Sequence, residues 1–154
     1  MSDFEKALQT ALQGVNEELR NASADLHQEV AAASESVSRL TNGAARLVLR
    51  HEQETPAETT YLLLLEIPQP KASVPSSNDS GISSPNQYPL ATLRMPCTGY
   101  PITTGVDQNG GGHGSKIQDR KEITQFLTEL ASRRDSPLVL YLNFHLRRQR
   151  QKQN

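Results

Sequence analysis

Tryptophan is absent, and the three Phe and four Tyr bring aromatic residues to only 5% of the 154-residue chain. Hydrophobic residues reach 35%. The core must therefore be modest and mostly aliphatic. Small domains bury proportionally less of their surface, so stability is expected to lean partly on self-association. The single cysteine, Cys97, excludes both an intramolecular disulfide framework and a cysteine-based zinc site. Long apolar runs are missing too. A run such as Tyr61 to Leu65 falls far short of the ~20 residues a membrane helix needs. No basic-then-apolar leader opens the chain, so the expectation is a soluble cytoplasmic protein with no membrane contact.

Neither charge sign dominates. Sixteen Lys and Arg face seventeen Asp and Glu, a net charge of −1, which argues against a dedicated nucleic-acid binder. The distribution is less even. Residues 1–42 hold 7 acids and 3 bases, net −4, and residues 105–154 hold 5 acids and 9 bases, net +4. This polarity favours antiparallel association, although ordinary helix and tail composition gives the same pattern.

What is present begins with a long helical signal. Ser2 followed by Glu5 is a capping-box start. Apolar residues recur at Phe4, Leu8, Leu12, Val15, Leu19, Ala22, Leu26, Val30, Ala33, Val37 and Leu40. That mean spacing of about 3.6 keeps one stripe on a straight helix. Such a helix is roughly 55–60 Å long, about twice the width of the domain that can follow it. Part of the stripe, carried by Leu8, Leu12, Val15, Leu19, Leu26 and Val30, is therefore expected to meet a second copy, in a dimer, or another protein through coiled-coil-like packing. A bend or break near Gly14 or Asn21-Ala22-Ser23, folding the helix back on itself, is the competing possibility. The small residues Ala31 to Ser36 make the second half a weak seam, suited to close packing. Thr41-Asn42-Gly43 ends the helix, with Gly43 as a left-handed cap.

Strands follow. Ala45–Glu52 places Leu47 and Leu49 on one face and Arg46, Val48 and Arg50 on the other. In Thr59–Ile67, Leu62 to Leu65 are apolar without alternation, the mark of a strand covered on both sides. The N-terminal helix is the nearest candidate for that second cover. Residues 69–87 read as a flexible excursion and residues 105–115 as a glycine-rich loop, with a third strand, Tyr88–Met95, between them. Asp119 with Glu122 caps a helix to Arg134. After Ser136-Pro137, the strict alternation of Leu138, Leu140, Leu142, Phe144 and Leu146 reads as a closing strand. The expected fold is α+β: an N-terminal helical arm, 1–42; a small β-β-β-α-β domain, 43–147, built on a mostly antiparallel four-stranded sheet; and a basic tail, 148–154.

No motif in the chain demands catalysis. Gly110 to Gly114 lacks both phosphate-binding glycine fingerprints. Cys97 and His113 lie in loops with no orienting partner evident. His27, His51, His113 and His145 show no metal-ligand spacing. Neither a cofactor nor a metal is expected. The leading reading is a non-enzymatic, helix-mediated oligomer that presents its domain to a protein partner. The second is an anion or nucleic-acid-backbone surface on the sheet, built from Arg46, Arg50, Arg94, Tyr141 and His145 and extended by the basic tail.

Overall fold

The computed structural model describes residues 2–68, 86–105 and 115–152. Among these residues three helices flank five strands: α1 (Asp3–Leu40), β1 (Arg46–Glu54), β2 (Glu58–Ile67), β3 (Asn86–Pro96), β4 (Ile102–Gly105), β5 (Ser115–Ile117), α2 (Arg120–Ser132) and α3 (Pro137–Lys152). The protein is α+β, as its patterning implies. The strands form one sheet in the order β1-β2-β3-β4-β5, with every pairing antiparallel. The sheet thus has five strands where four were expected. The additional strands are the short β4 and β5.

α1 starts and stops where its residues dictate. Ser2 accepts a hydrogen bond from the Glu5 amide at 3.2 Å, satisfying one of the helix's unpaired first-turn donors. At the far end Gly43, at φ +82°, donates from its amide to the Ser38 carbonyl at 2.7 Å. Its missing Cβ makes that left-handed backbone accessible. Between these ends the stripe is continuous but its surroundings change. Ala22, Leu26, Val30 and Val37 are buried in the core, whereas residues 2–14 are exposed throughout.

The core lies on one sheet face. Leu47, Tyr61, Leu63, Leu65, Ala91 and Leu93 point from the sheet into the same apolar cluster as buried residues of α1, α2 and α3. A bulge in β3 adds to it. Leu63 pairs with Ala91 and Leu64 with Pro89, leaving Leu90 as the extra residue, and both Leu90 and Ala91 are fully buried in the cluster. This irregularity turns two successive side chains inward.

Two expectations are corrected. The final segment is helix, not strand. Ser136 is its N-cap, accepting from the Val139 amide at 3.2 Å, and Pro137 occupies the first helical position, where its missing amide proton costs nothing. The Ser-Pro pair that reads as a break is a helix start. Helix formers such as Leu, Arg and Gln fill the segment, and Val139 is its only β-branched residue. Alternating apolar residues on a helix must appear on more than one side, which explains why Leu138 is buried while Leu140 and Phe144 are exposed. The second correction concerns α1, which packs on the same face as α2 rather than on the reverse face.

The place where α1 joins the domain is sharply defined. Gly99, at φ +94° in the turn after β3, lies so close to α1 that a Cβ there would sit 2.7 Å from the Glu18 carbonyl oxygen and 2.8 Å from the Ala22 Cβ. Gly99→Ala should lower stability by about 1–3 kcal/mol, from left-handed strain plus displacement of α1. Urea unfolding with an unchanged m value would register this as a shifted midpoint.

Candidate functional site

The residues singled out from sequence fall on three separate surfaces. The first is the α1 stripe, which divides at Leu19. Leu26 and Val30 are buried in the chain's own core, and Leu19 is part-buried against it. Leu8 and Leu12 are exposed, Val15 is half-buried, and Phe4 is 74% exposed. The expected partner-binding set therefore separates into an inward half, already covered, and an outward half, Phe4 to Val15, that projects beyond the domain.

A polar clamp ties the inward half to the domain. The Tyr100 hydroxyl donates to Asp25 Oδ2 at 2.9 Å. Arg120 Nε donates to Glu29 Oε1 at 2.8 Å, and Thr124 Oγ1 donates to Glu29 Oε2 at 2.9 Å. Arg120 also reaches Asp25 at 3.6 Å. The hydrogen bonds from Arg120 and Thr124 hold the Glu29 carboxyl below the usual carboxylate range. Burial, aided by the Asp25 carboxylate, raises the pKa of the Tyr100 phenol, so that it remains a donor. Two carboxylates one turn apart on α1 are thereby tied to the start of α2 and to the β3–β4 turn. Sequence gave no signal for this clamp, because Asp25 and Glu29 read as the solvated side of an amphipathic helix.

The second surface is the sheet's reverse face. Cross-strand register places Arg46 opposite Glu66 opposite Gln87, Val48 opposite Leu64 opposite Pro89, and Arg50 opposite Leu62 opposite Thr92. Leu64 is only 1% exposed yet stands outside the helix-covered core. Arg50 hydrogen-bonds Gln87 at 3.2 Å, spanning from the row on one side of Leu64 to the row on the other. Gln87 donates to Glu66 at 3.0 Å, and Arg46 forms an ion pair with Glu66. Arg46, Glu66, Gln87 and Arg50 thus form a linked run of polar contacts on this face, beside Leu64. Burial alone would raise the Glu66 pKa, but hydrogen bonds from Gln87 and Arg46 outweigh it and hold the carboxyl low.

The residues grouped as an anion surface are thus not together. Arg46 and Arg50 already face carboxylates, Glu66 and Glu52 respectively, and Arg94 is exposed on the same sheet face. Tyr141 and His145 belong to α3, on the other side of the sheet. Tyr141 stacks on Tyr88 with ring centroids 4.4 Å apart and planes at 24°, joining α3 to β3.

Third, an apolar cleft of about 330 Å³ separates α1 from α2, bordered by Ala32, Ala33, Ser36, Leu127, Thr128 and Ala131. The small residues leave this space on the α2 side, while on the β1 side Ser34 packs close enough to accept a hydrogen bond from the Leu47 amide at 3.0 Å. Cys97 is exposed. His113 and the Gly110–Gly114 loop lie outside the described residues, as does most of the 69–87 segment. Among the described residues, no cluster of His, Cys, Asp and Glu could hold a metal ion. No described helix is long and apolar enough to cross a membrane.

Comparison of the chain with protein-family models, with curated proteins and with solved structures yields no match.

The two depressed carboxyls make a pH prediction. In the unfolded chain Glu29 and Glu66 take up protons at a higher pH than they do when folded. Their contribution is present above the ordinary carboxylate pKa and is lost as pH falls through the lower folded values. Below about pH 5, stability should decline less steeply in a Glu29→Gln, Glu66→Gln double variant than in the parent. Urea titrations from pH 7 down to pH 3 would measure both slopes; equal slopes would contradict the assignment.

Proposed function

We propose that the chain is a non-enzymatic interaction module that self-associates through the outward half of α1 and holds its α+β domain out towards a protein partner. One observation carries this reading. The apolar stripe that buries Ala22, Leu26 and Val30 continues without a break through Phe4, Leu8 and Leu12, which are exposed and which no described element covers. Isolated helices gain little stability from propensity alone and rely on a packed apolar face. Contiguous apolar surface rimmed by polar residues is the usual mark of an interaction site.

Light scattering or sedimentation on the full chain tests the proposal. The parent should show a concentration-dependent dimer mass, and Leu8→Glu with Leu12→Glu should give a monomer. Because these residues lie outside the chain's own core, the variant's domain should keep its cooperative unfolding. Leu26→Ala should behave oppositely, costing about 2–5 kcal/mol as a cavity in the core. A parent that is monomeric at all concentrations would overturn the proposal.

A further inference from the structure

Apart from Leu40 at the end of α1, the exposed large apolar side chains among the described residues gather at two places. Phe4, Leu8 and Leu12 lie on the outward half of α1, and Leu140 and Phe144 lie on α3. The charges on these helices are opposite. Asp3–Glu18 holds four acids and one base, net −3, whereas Pro137–Lys152 holds four bases and no acid, net +4. Two outward halves of α1 brought together would unite like charges; one laid on α3 unites opposite ones.

Resting on the self-association proposed above, we infer that the exposed face of α3 is the seat for the outward half of α1 from a second copy of the chain. The spacing supports an antiparallel fit. Leu8 and Leu12 are four residues apart, as are Leu140 and Phe144, so each pair forms a short ridge on one side of its helix. With Leu8 against Phe144 and Leu12 against Leu140, the acidic first turn of α1, Asp3 and Glu5, lies beside the basic end of α3. Glu5 then flanks its ridge on the side where Arg148 flanks the other. Arg148 is already held at that edge, its guanidinium carbon 5.6 Å from the Phe144 ring centroid. The opposed order also sets the negative end of the α3 dipole against the positive start of α1. A two-fold pair makes the contact twice, once from each copy, and closes without leaving a free seat.

A charge-exchange cycle in the full-length chain, read by sedimentation at low and at physiological salt, tests the contact. Glu5→Arg and Arg148→Glu should each weaken self-association roughly tenfold. The two together should recover most of the loss, and raising salt should weaken the parent dimer. Phe144→Gln should weaken the dimer at any salt while leaving Tyr141 stacked and the domain folded. If the Leu8 and Leu12 variants abolish the dimer but neither Arg148→Glu nor salt affects it, α3 is not the seat, although self-association through α1 stands. A monomeric parent overturns both statements. Binding of a short duplex oligonucleotide that is lost in Arg148→Glu, with self-association unchanged, would assign the face to nucleic acid and also overturn the inference.

Discussion

The contact between Gly99 and Ala22 determines where α1 stops being core and becomes an arm. At this point the β3–β4 turn meets the helix backbone at a separation that excludes even a methyl group. One turn further along, Tyr100 and Arg120 hold Asp25 and Glu29. The domain is only wide enough to cover about half of a 38-residue helix. Compactness sets that width, because a domain of this size spans roughly 30 Å, while the helix runs for about 57 Å. Whatever the arm does follows from this mismatch. The mismatch is stable because the clamp defines the helix register against the sheet.

The reverse face of the sheet carries a buried leucine beside a linked set of polar side chains. A leucine run such as Leu62 to Leu65 ordinarily implies cover on both sides, and here the two faces differ in kind. Leu63 and Leu65 are buried in the cluster shared with the helices, whereas Leu64 is buried on the other face, beside the Arg50–Gln87 hydrogen bond. Every member of that polar set has a partner, so burying Glu66 does not leave an orphaned charge. The same arrangement reduces the positive potential expected of Arg46 and Arg50, since each lies against a carboxylate.

Much of the fold was legible from periodicity. The α1 stripe, its Ser2 start and its Gly43 stop, the two faces of β1, and the Asp119 cap of α2 all appear where spacing and capping chemistry place them. α3 was misread because its leucines alternate, and period two is the stronger visual pattern. The capping pair Ser136-Pro137 and the absence of β-branched residues beyond Val139 carried the correct information. No local pattern could have revealed that Asp25 and Glu29 meet Arg120, nearly a hundred residues away. The same is true of Arg50 reaching Gln87. Such pairs depend on register between distant strands and helices. The candidate interaction stripe was half legible. Sequence locates its apolar residues but not the boundary at Leu19, which is fixed by a turn from elsewhere in the chain.

The change of α3 from strand to helix alters the meaning of the chain's charge polarity. As an edge strand with a loose tail, Leu140, Phe144 and the C-terminal arginines would have been separated, the leucines facing a core and the cations dispersed in solvent. On a helix, Leu140, Phe144 and Arg148 fall on one outward side. The basic end of the chain is then an amphipathic surface, just as the acidic beginning is. Two amphipathic helices of opposite charge, each with an unburied ridge, make the segregation of charge along the chain a property that can specify a contact. Hydrophobic burial is non-directional, so charge is what can select one orientation and one partner over another.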